Sequence, residues 1–263
     1  MSPVEHVSIG GVRVATASRA DLARMVVEDC RRRRSDVQRR PRLLFDANGH
    51  GISMAARDRE YRAALEQADV VHADGGFLVT ASRYLAGAPI AERSATTDLI
   101  HDVVRAGLED GLSHYLLGST ETVNAACADR LKELYPNIVI AGRQHGYFRS
   151  DDEDAVLARI NDAAPDVVWI GLGKPLEQEF AVRHREAMLA SWAVTCGGCF
   201  NYIAGDYSRA PRWMQDNSLE WLYRAATNPK LIKRYLTTSP HALWLTLRHV
   251  DRRTYSGAQK ALR

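Results

Sequence analysis

The sequence predicts one α/β domain, a mostly parallel sheet flanked by helices, followed by a basic helical C-terminal appendage. Three observations carry that prediction. Short aliphatic and β-branched runs recur along the chain, amphipathic stretches of crossover length separate them, and both the pattern and the charge change after residue 208. Apolar runs of this kind read as strands buried on both faces, and a helix-length crossover between consecutive runs is what parallel pairing requires.

In chain order, a helix over 18–33 comes first, with Ser18 three residues before Asp21 in capping-box spacing. A strand at 42–45, a helix over 51–66 and a strand at 69–72 follow. Helices over 97–109, 120–134, 152–163 and 176–189 then alternate with strands at 114–117, 138–141, 167–170 and 193–195. Ser150 and Glu153 repeat the capping-box spacing. Beyond about residue 200 the strand signals stop, while Leu219, Leu222, Tyr223, Ala226 and Lys230 recur at helical spacing, so part of the appendage packs on the core. The change falls near Arg209-Ala210-Pro211, giving a Rossmann-like core over 1–208 and an appendage over 209–263. With 46% hydrophobic residues in 263, one sizeable core is affordable and two full domains are not.

Composition narrows the function. The longest apolar stretches, 167–172 and 242–247, fall far short of the ~20 residues that cross a bilayer. The opening MSPVEHVSIGG lacks a signal-peptide core, so a cytoplasmic location is expected. Four cysteines, Cys30, Cys127, Cys196 and Cys199, are too scattered for a disulfide scaffold. The net charge of +3 hides an asymmetry: residues 209–263 hold 11 Lys and Arg against 3 Asp and Glu, and residues 1–208 hold 24 against 29. Such cationic density beside Trp213, Trp221, Tyr223, Tyr235 and Trp244 suits an anionic membrane surface. Nucleic acid is the competing anionic partner, and no DNA or RNA recognition motif supports it.

Ligands of parallel sheets bind beyond the carboxyl ends of the strands. The residues there are Asp46-Ala47-Asn48-Gly49, Ala73-Asp74-Gly75-Gly76, Gly118-Ser119-Thr120, Gly146-Tyr147-Phe148, Gly171-Leu172-Gly173-Lys174-Pro175 and Cys196-Gly197-Gly198. Any one glycine is explained by a strand-to-helix turn; several at one edge favour a nucleotide or phosphate ligand. Neither GxGxxG after a strand nor GxxxxGK[ST] occurs, which argues against a dehydrogenase or a P-loop enzyme. The CxxC of Cys196 and Cys199 lacks further zinc ligands and reads as small-residue packing. The acidic run 151–154 opens a helix, where carboxylates suit the dipole, and the arginines at 31–34, 39, 40 and 42 read as a solvated helix end and loop. No metal is called for. Asp74 would stand at the rim as a general base or, equally, as a helix N-cap.

FDANG (45–49), ADG (73–75), AERSATTDL (91–99), YLLGS (115–119), RLKELYP (130–136), GYF (146–148), PDVVWIGLGKP (165–175), GGCFNYIAG (197–205), RAPRWM (209–214) and LEWLYRAATNPKLIKRYL (219–236) occur in this order. In order and spacing the chain resembles the WecG/TagA/CpsF glycosyltransferases, glycosyltransferase family 26, from about residue 46 to 235. The resemblance implies an inverting, metal-independent hexosyltransferase without cofactor. It would move a hexose-type sugar from a UDP-sugar to a polyprenyl-diphosphate-linked saccharide in cell-envelope or exopolysaccharide synthesis. It also implies Asp74 as catalytic base, with donor or acceptor contacts from Asp46, Asn48, Arg93, Gly118, Tyr147, Gly171, Gly173, Glu177 and Gln178.

Some positions depart from the family pattern. Asp46 stands where threonine is usual and Thr96 where glycine is. The family's GxPxQE becomes Pro175-Leu176-Glu177-Gln178-Glu179, so Glu177 or, with a one-residue shift, Gln178 takes the glutamine's place. Cys196, Cys199 and Asn201 replace a small residue and an aspartate. The resemblance further implies a basic appendage on the inner face of the cell membrane, supplying Arg209, Arg212, Arg224 and Arg234 to the diphosphate; guanidinium groups suit phosphate by geometry. It implies no nucleic-acid partner and leaves a homo-oligomer open. The competing readings are a soluble glycosyltransferase with a small-molecule acceptor and a non-catalytic nucleotide-sugar or nucleic-acid binding module.

Overall fold

The structure, a computed structural model, describes residues 4–33, 40–211, 213–214, 220–227 and 230–250. Six strands form one parallel sheet: β3 (Arg42–Ala47), β4 (Val70–Ala73), β5 (Ser113–Gly118), β6 (Val139–Gln144), β7 (Val167–Gly171) and β8 (Trp192–Thr195). Their order is β4-β3-β8-β7-β5-β6, and every pairing is parallel. All six predicted strands are present; the inner ones are buried on both faces, as in Val167–Gly171, where no side chain reaches water, while β6, at one side of the sheet, is only partly covered. The order brings the ends of β4, β3, β8 and β7 side by side.

Each face of the sheet carries its own core. On one lie α1 (Arg19–Arg33), α5 (Thr96–Gly107), α6 (Glu121–Leu134) and α9 (Cys199–Ile203), packed through residues such as Leu22, Leu99, Leu131 and Phe200. On the other lie α2 (Gly49–Ala55), α3 (Arg59–Glu66), α4 (Gly76–Leu85), α7 (Glu153–Ala163) and α8 (Leu176–Arg183), packed through Ile52, Tyr61, Leu78, Ile160 and Phe180. The predicted box at the start of α1 forms reciprocally: the Asp21 N–H donates to Ser18 Oγ at 3.1 Å, and the Ser18 N–H to Asp21 Oδ2 at 3.3 Å.

Several local predictions need correction. The helix expected over 51–66 is two, because Asp58 interrupts it and caps α3 by accepting the N–H groups of Glu60 and Tyr61. The helix expected to reach residue 189 ends at Arg183. The Ser150 box does not form: Ser150–Asp152 is a 3-10 turn and α7 begins without a side-chain cap. The basic cluster is solvated as expected at Arg31 and Arg40, which pair at the surface with Asp110 and Glu186, whereas Arg42 is partly covered, on Asp29 and over the Trp192 ring; Arg34 and Arg39 lie outside the described residues. Three features went unpredicted: α4, the short α9, and an antiparallel hairpin of β1 (His6–Ile9) and β2 (Val12–Ala15), whose Gly10 and Gly11 both have positive φ, as a two-residue turn between twisted strands demands.

Two helices of the predicted appendage are described, α10 (Glu220–Thr227) and α11 (Lys230–Arg248). The second packs on α2. Ala242, Leu245 and Thr246 are buried there, Ser53 Oγ lies 2.9 Å from His241 Nδ1, and the Gly11 N–H donates to the His249 carbonyl.

Candidate active site

Asp74 emerges at the end of β4 and is seated from three sides. Its N–H donates to the Ala47 carbonyl at the end of β3, at 2.9 Å, and the Ser94 N–H donates to the Ala73 carbonyl at 2.8 Å, bringing the loop before α5 alongside. The carboxylate Oδ1 accepts the Thr96 N–H at 3.0 Å, at the start of α5, whereas α4 begins at Gly75 without a side-chain cap. Asp74 therefore does not cap the helix that follows it; its carboxylate meets the N-terminus of another. Among the described residues Oδ2 takes no hydrogen bond. Burial would raise this carboxyl's pKa, but Arg93, the Thr96 N–H and Lys174 together hold it below the usual aspartate range, so it is ionised at neutral pH.

Arg93 bridges core and appendage. Its Nε donates to the Asp74 carbonyl at 2.7 Å, and Nη1 to Glu220 Oε2 of α10 at 2.6 Å. Arg224 stacks over the Tyr202 ring at 5.2 Å, Arg234 over Tyr235 at 5.5 Å, and the buried Nε of each has no hydrogen-bond partner among the described residues. Both reach the field of the edge: Asp74 contributes to holding Arg224 charged, and Arg234 helps keep His50 neutral, with burial the larger cause of a pKa lowered to about 4. Arg209 pairs with Asp98 of α5 at 2.5 and 3.1 Å, with Glu220 and Arg93 in its field, and roots the appendage there. Arg212 lies outside the described residues.

Asn48 caps α2, its Oδ1 accepting the Gly51 N–H at 3.0 Å, which leaves the amide NH2 outside the cap. A Cβ on Gly75 would come within 3.1 Å of the Asn48 Cβ, so this glycine lets the turns after β3 and β4 touch. Beneath them is a buried ionic cluster. Lys174 Nζ bonds Asp46 Oδ2 and lies 3.6 Å from Glu177 Oε1, while Asp46 Oδ1 accepts the Thr195 hydroxyl at 3.1 Å. Glu177 and Gln178 have no exposed surface, and the Gln178 Nε2 donates to Glu177 Oε1 at 3.3 Å.

The remaining predicted residues spread along the edge. Gly118 and Gly171 end β5 and β7 where strands meet: a Cβ on Gly118 would strike the Gly171 carbonyl at 2.3 Å, and one on Gly171 the Gly197 carbonyl at 2.8 Å. Their lack of a side chain serves strand contact. Gly173, with positive φ, faces open space, and Tyr147, 77% exposed, stands on the loop after β6 at the far side of the sheet. Cys196 and Cys199 are buried thiols whose pKa values burial pushes well up, the behaviour of packing residues. Glu153 of the acidic run is tied to Arg183 and His184. Sequence reasoning did not single out Lys174, Thr195, His50, Tyr61 or Glu220. For Lys174 the available signal was a lysine among the glycines after β7.

A family model described as the glycosyl transferase WecG/TagA/CpsF family matches residues 7–256. Similar proteins include three named N-acetylglucosaminyldiphosphoundecaprenol N-acetyl-beta-D-mannosaminyltransferase. That of Bacillus subtilis is 30% identical over 201 residues, 76% of this chain and 77% of the relative. That of Bacillus spizizenii is 32% identical over 212 residues, 81% of each, and that of Staphylococcus aureus 31% over 192 residues, 73% and 74%.

Proposed function

The chain belongs to the glycosyl transferase WecG/TagA/CpsF family, and we propose that this glycosyltransferase is inverting and metal-independent, with Asp74 as its base. It moves a hexose-type sugar from a UDP-sugar to a polyprenyl-diphosphate-linked saccharide in cell-envelope or exopolysaccharide assembly. The relatives' printed name, with N-acetylglucosamine on a diphosphoundecaprenol as acceptor and N-acetylmannosamine as the transferred sugar, supports that acceptor class. The observation that carries the reading is the seating of Asp74: an ionised carboxylate at the sheet's carboxyl edge, with one oxygen on the Thr96 N–H and the other without a hydrogen bond among the described residues.

In the proposed step Oδ2 of Asp74 takes the proton of the acceptor hydroxyl as its oxygen attacks the anomeric carbon. The bond from that carbon to the diphosphate breaks on the opposite face, and UDP departs with the electron pair, inverting the centre. Charge developing on the leaving diphosphate requires cations already in place. Arg93, Arg224 and Arg234 would supply them, and the buried Nε groups of the latter two lack a hydrogen-bond partner among the described residues. Asn48 and Gly173 offer donor contacts at the same edge.

The appendage supports a peripheral membrane role. Ile232, Leu236, Leu243 and Leu247 of α11 are exposed on one side while Ala242, Leu245 and Thr246 bury the other, and Trp213, Trp221 and Trp244 are exposed too. No described helix is long and apolar enough to cross a membrane, and a two-sided helix of this kind lies in the interface. Two experiments test the proposal. Asp74→Asn should abolish transfer to a polyprenyl-diphosphate N-acetylglucosamine acceptor while UDP-sugar binding persists; retained turnover would remove Asp74 as base. Replacing Leu236, Leu243 and Leu247 by serine should release the protein from anionic vesicles in a sedimentation assay, and unchanged binding would take the membrane role away from α11.

A further inference from the structure

The Asp46–Lys174–Glu177 cluster does something that neither the base nor the arginines require. Glu177 Oε2 accepts two backbone amides from different loops, the Gly173 N–H at 3.0 Å and the Gly197 N–H at 2.9 Å. Gly173 belongs to the loop after β7 and Gly197 to the loop after β8, and both have positive φ. Neither glycine has a side chain with which to anchor itself. Added Cβ atoms would find nothing within 4 Å at Gly173, and at Gly197 only a Glu177 oxygen at 4.0 Å, so both loops open toward the edge. Their mutual spacing is held from below by one carboxyl. That carboxyl is in turn held by Lys174, which also bonds Asp46 at the end of β3, so the cluster ties together the ends of three adjacent strands.

We propose that Glu177 is a positioning residue for transfer: by bridging the amides of Gly173 and Gly197, with Lys174 and Asp46 bracing it, it sets the two loops that receive the sugar donor. The inference rests on the reading that the donor binds at this edge. A neutral acceptor could hold the same two amides without burying a charge. A carboxylate holds them more strongly, since hydrogen bonds to ionised acceptors are roughly twice as strong as neutral ones, and its grip depends on its proton. Lys174 faces it from its own loop, Asp46 from β3, Tyr61 from α3 and Cys196 from the end of β8. Burial pushes its pKa up, Lys174 opposes that, Asp46 adds to it, and the balance falls at about 7. Donor binding should therefore strengthen as pH rises through neutrality.

The test uses the full chain and UDP-N-acetylmannosamine, whose diphosphate is a diester and does not titrate in this range. Calorimetric affinity and transfer kinetics are measured from pH 5.5 to 8.5 for the wild type, Glu177→Gln and Lys174→Met. The wild type should bind about tenfold more tightly at pH 8 than at pH 6, one pK unit being tenfold. Glu177→Gln should bind with an intermediate affinity that does not change with pH, and its loss should lie mainly in KM. Lys174→Met, which keeps the carboxyl and removes the cation, should move the inflection to higher pH. A flat wild-type profile, an unaltered profile in Glu177→Gln, or an unmoved inflection in Lys174→Met would each overturn the proposal. A merely structural role would lower thermal stability without touching the pH dependence. Should Glu177→Gln fail to fold, Lys174→Met still decides. Because affinity is read without turnover, active Asp74→Asn would sink the proposed base and leave this test standing.

Discussion

Asp74 and Glu177 lie under the same sheet edge, two strands apart, and their surroundings drive them in opposite directions. Asp74 follows β4, the outermost strand on its side of the sheet, where α5 presents an N–H and Arg93 a guanidinium, and its pKa falls. Glu177 is on the first turn of α8, without contact with water, and its pKa rises to about 7 even with Lys174 beside it. Both are desolvated. The difference is in the neighbouring charges: Asp74 has Arg93 and Lys174 in its field, whereas Glu177, although it accepts the Gly173 and Gly197 amides, shares its lysine with Asp46, whose charge opposes its ionisation. Environments that separate two carboxyls in this way assign them separate tasks: one stays ionised to accept a proton, the other is poised to change charge near neutrality.

The largest effect that would test the contrast is the loss of Asp74. Asp74→Asn should lower kcat by about 10³-fold, in the range general-base removal produces, while Glu177→Gln should leave kcat nearly unchanged and raise KM by less than about tenfold at pH 8; comparable kcat losses in the two variants would erase the distinction. Next, Arg93→Ala should reduce kcat/KM by roughly 100-fold, about the worth of a buried charge contact to a leaving phosphate. It should also shift the acid limb of the pH–rate profile upward, because the Asp74 carboxyl loses the cation that depresses it. An unshifted limb would mean that Arg93 does not set the Asp74 charge. The smallest effect is on stability. A carboxyl whose folded pKa is raised holds a proton in the folded state between its unfolded value and about 7, so stability falls as pH rises through that window. Chemical denaturation between pH 5 and 8 should show this decline, at most roughly 3 kcal/mol, and Glu177→Gln should flatten it. A wild-type stability that rises over the same range would contradict the pKa ordering.

The sheet was legible because buried parallel strands announce themselves as short aliphatic runs, and 167–171 reads the same in sequence and in space. The hairpin was legible too, in Gly10-Gly11 between alternating valines, yet the opening segment was read only for targeting signals. Asp74 was placed correctly after its strand, but its seat depends on Thr96, 22 residues on, through a loop that no periodicity marks. The charge partners were least visible. Lys174 meets Asp46 across 128 residues and Arg93 meets Glu220 across 127, and compensation at such separations exists only after the chain has folded. The glycines mislead differently: Gly118 and Gly171 serve strand contact, while Gly173 leaves space open, and the letter is the same.

The packing of α11 on α2 has a consequence for how the protein is made. Ser53 and His241 touch across 188 residues, so on the ribosome the first helix of the edge emerges long before its cover exists. Until Ala242, Leu245 and Thr246 have been synthesised, the surface of α2 beside Gly49 and Ser53 lacks the helix that covers it in the folded protein. The nascent chain thus carries its aspartate well before the residues that complete the ground around it have been added.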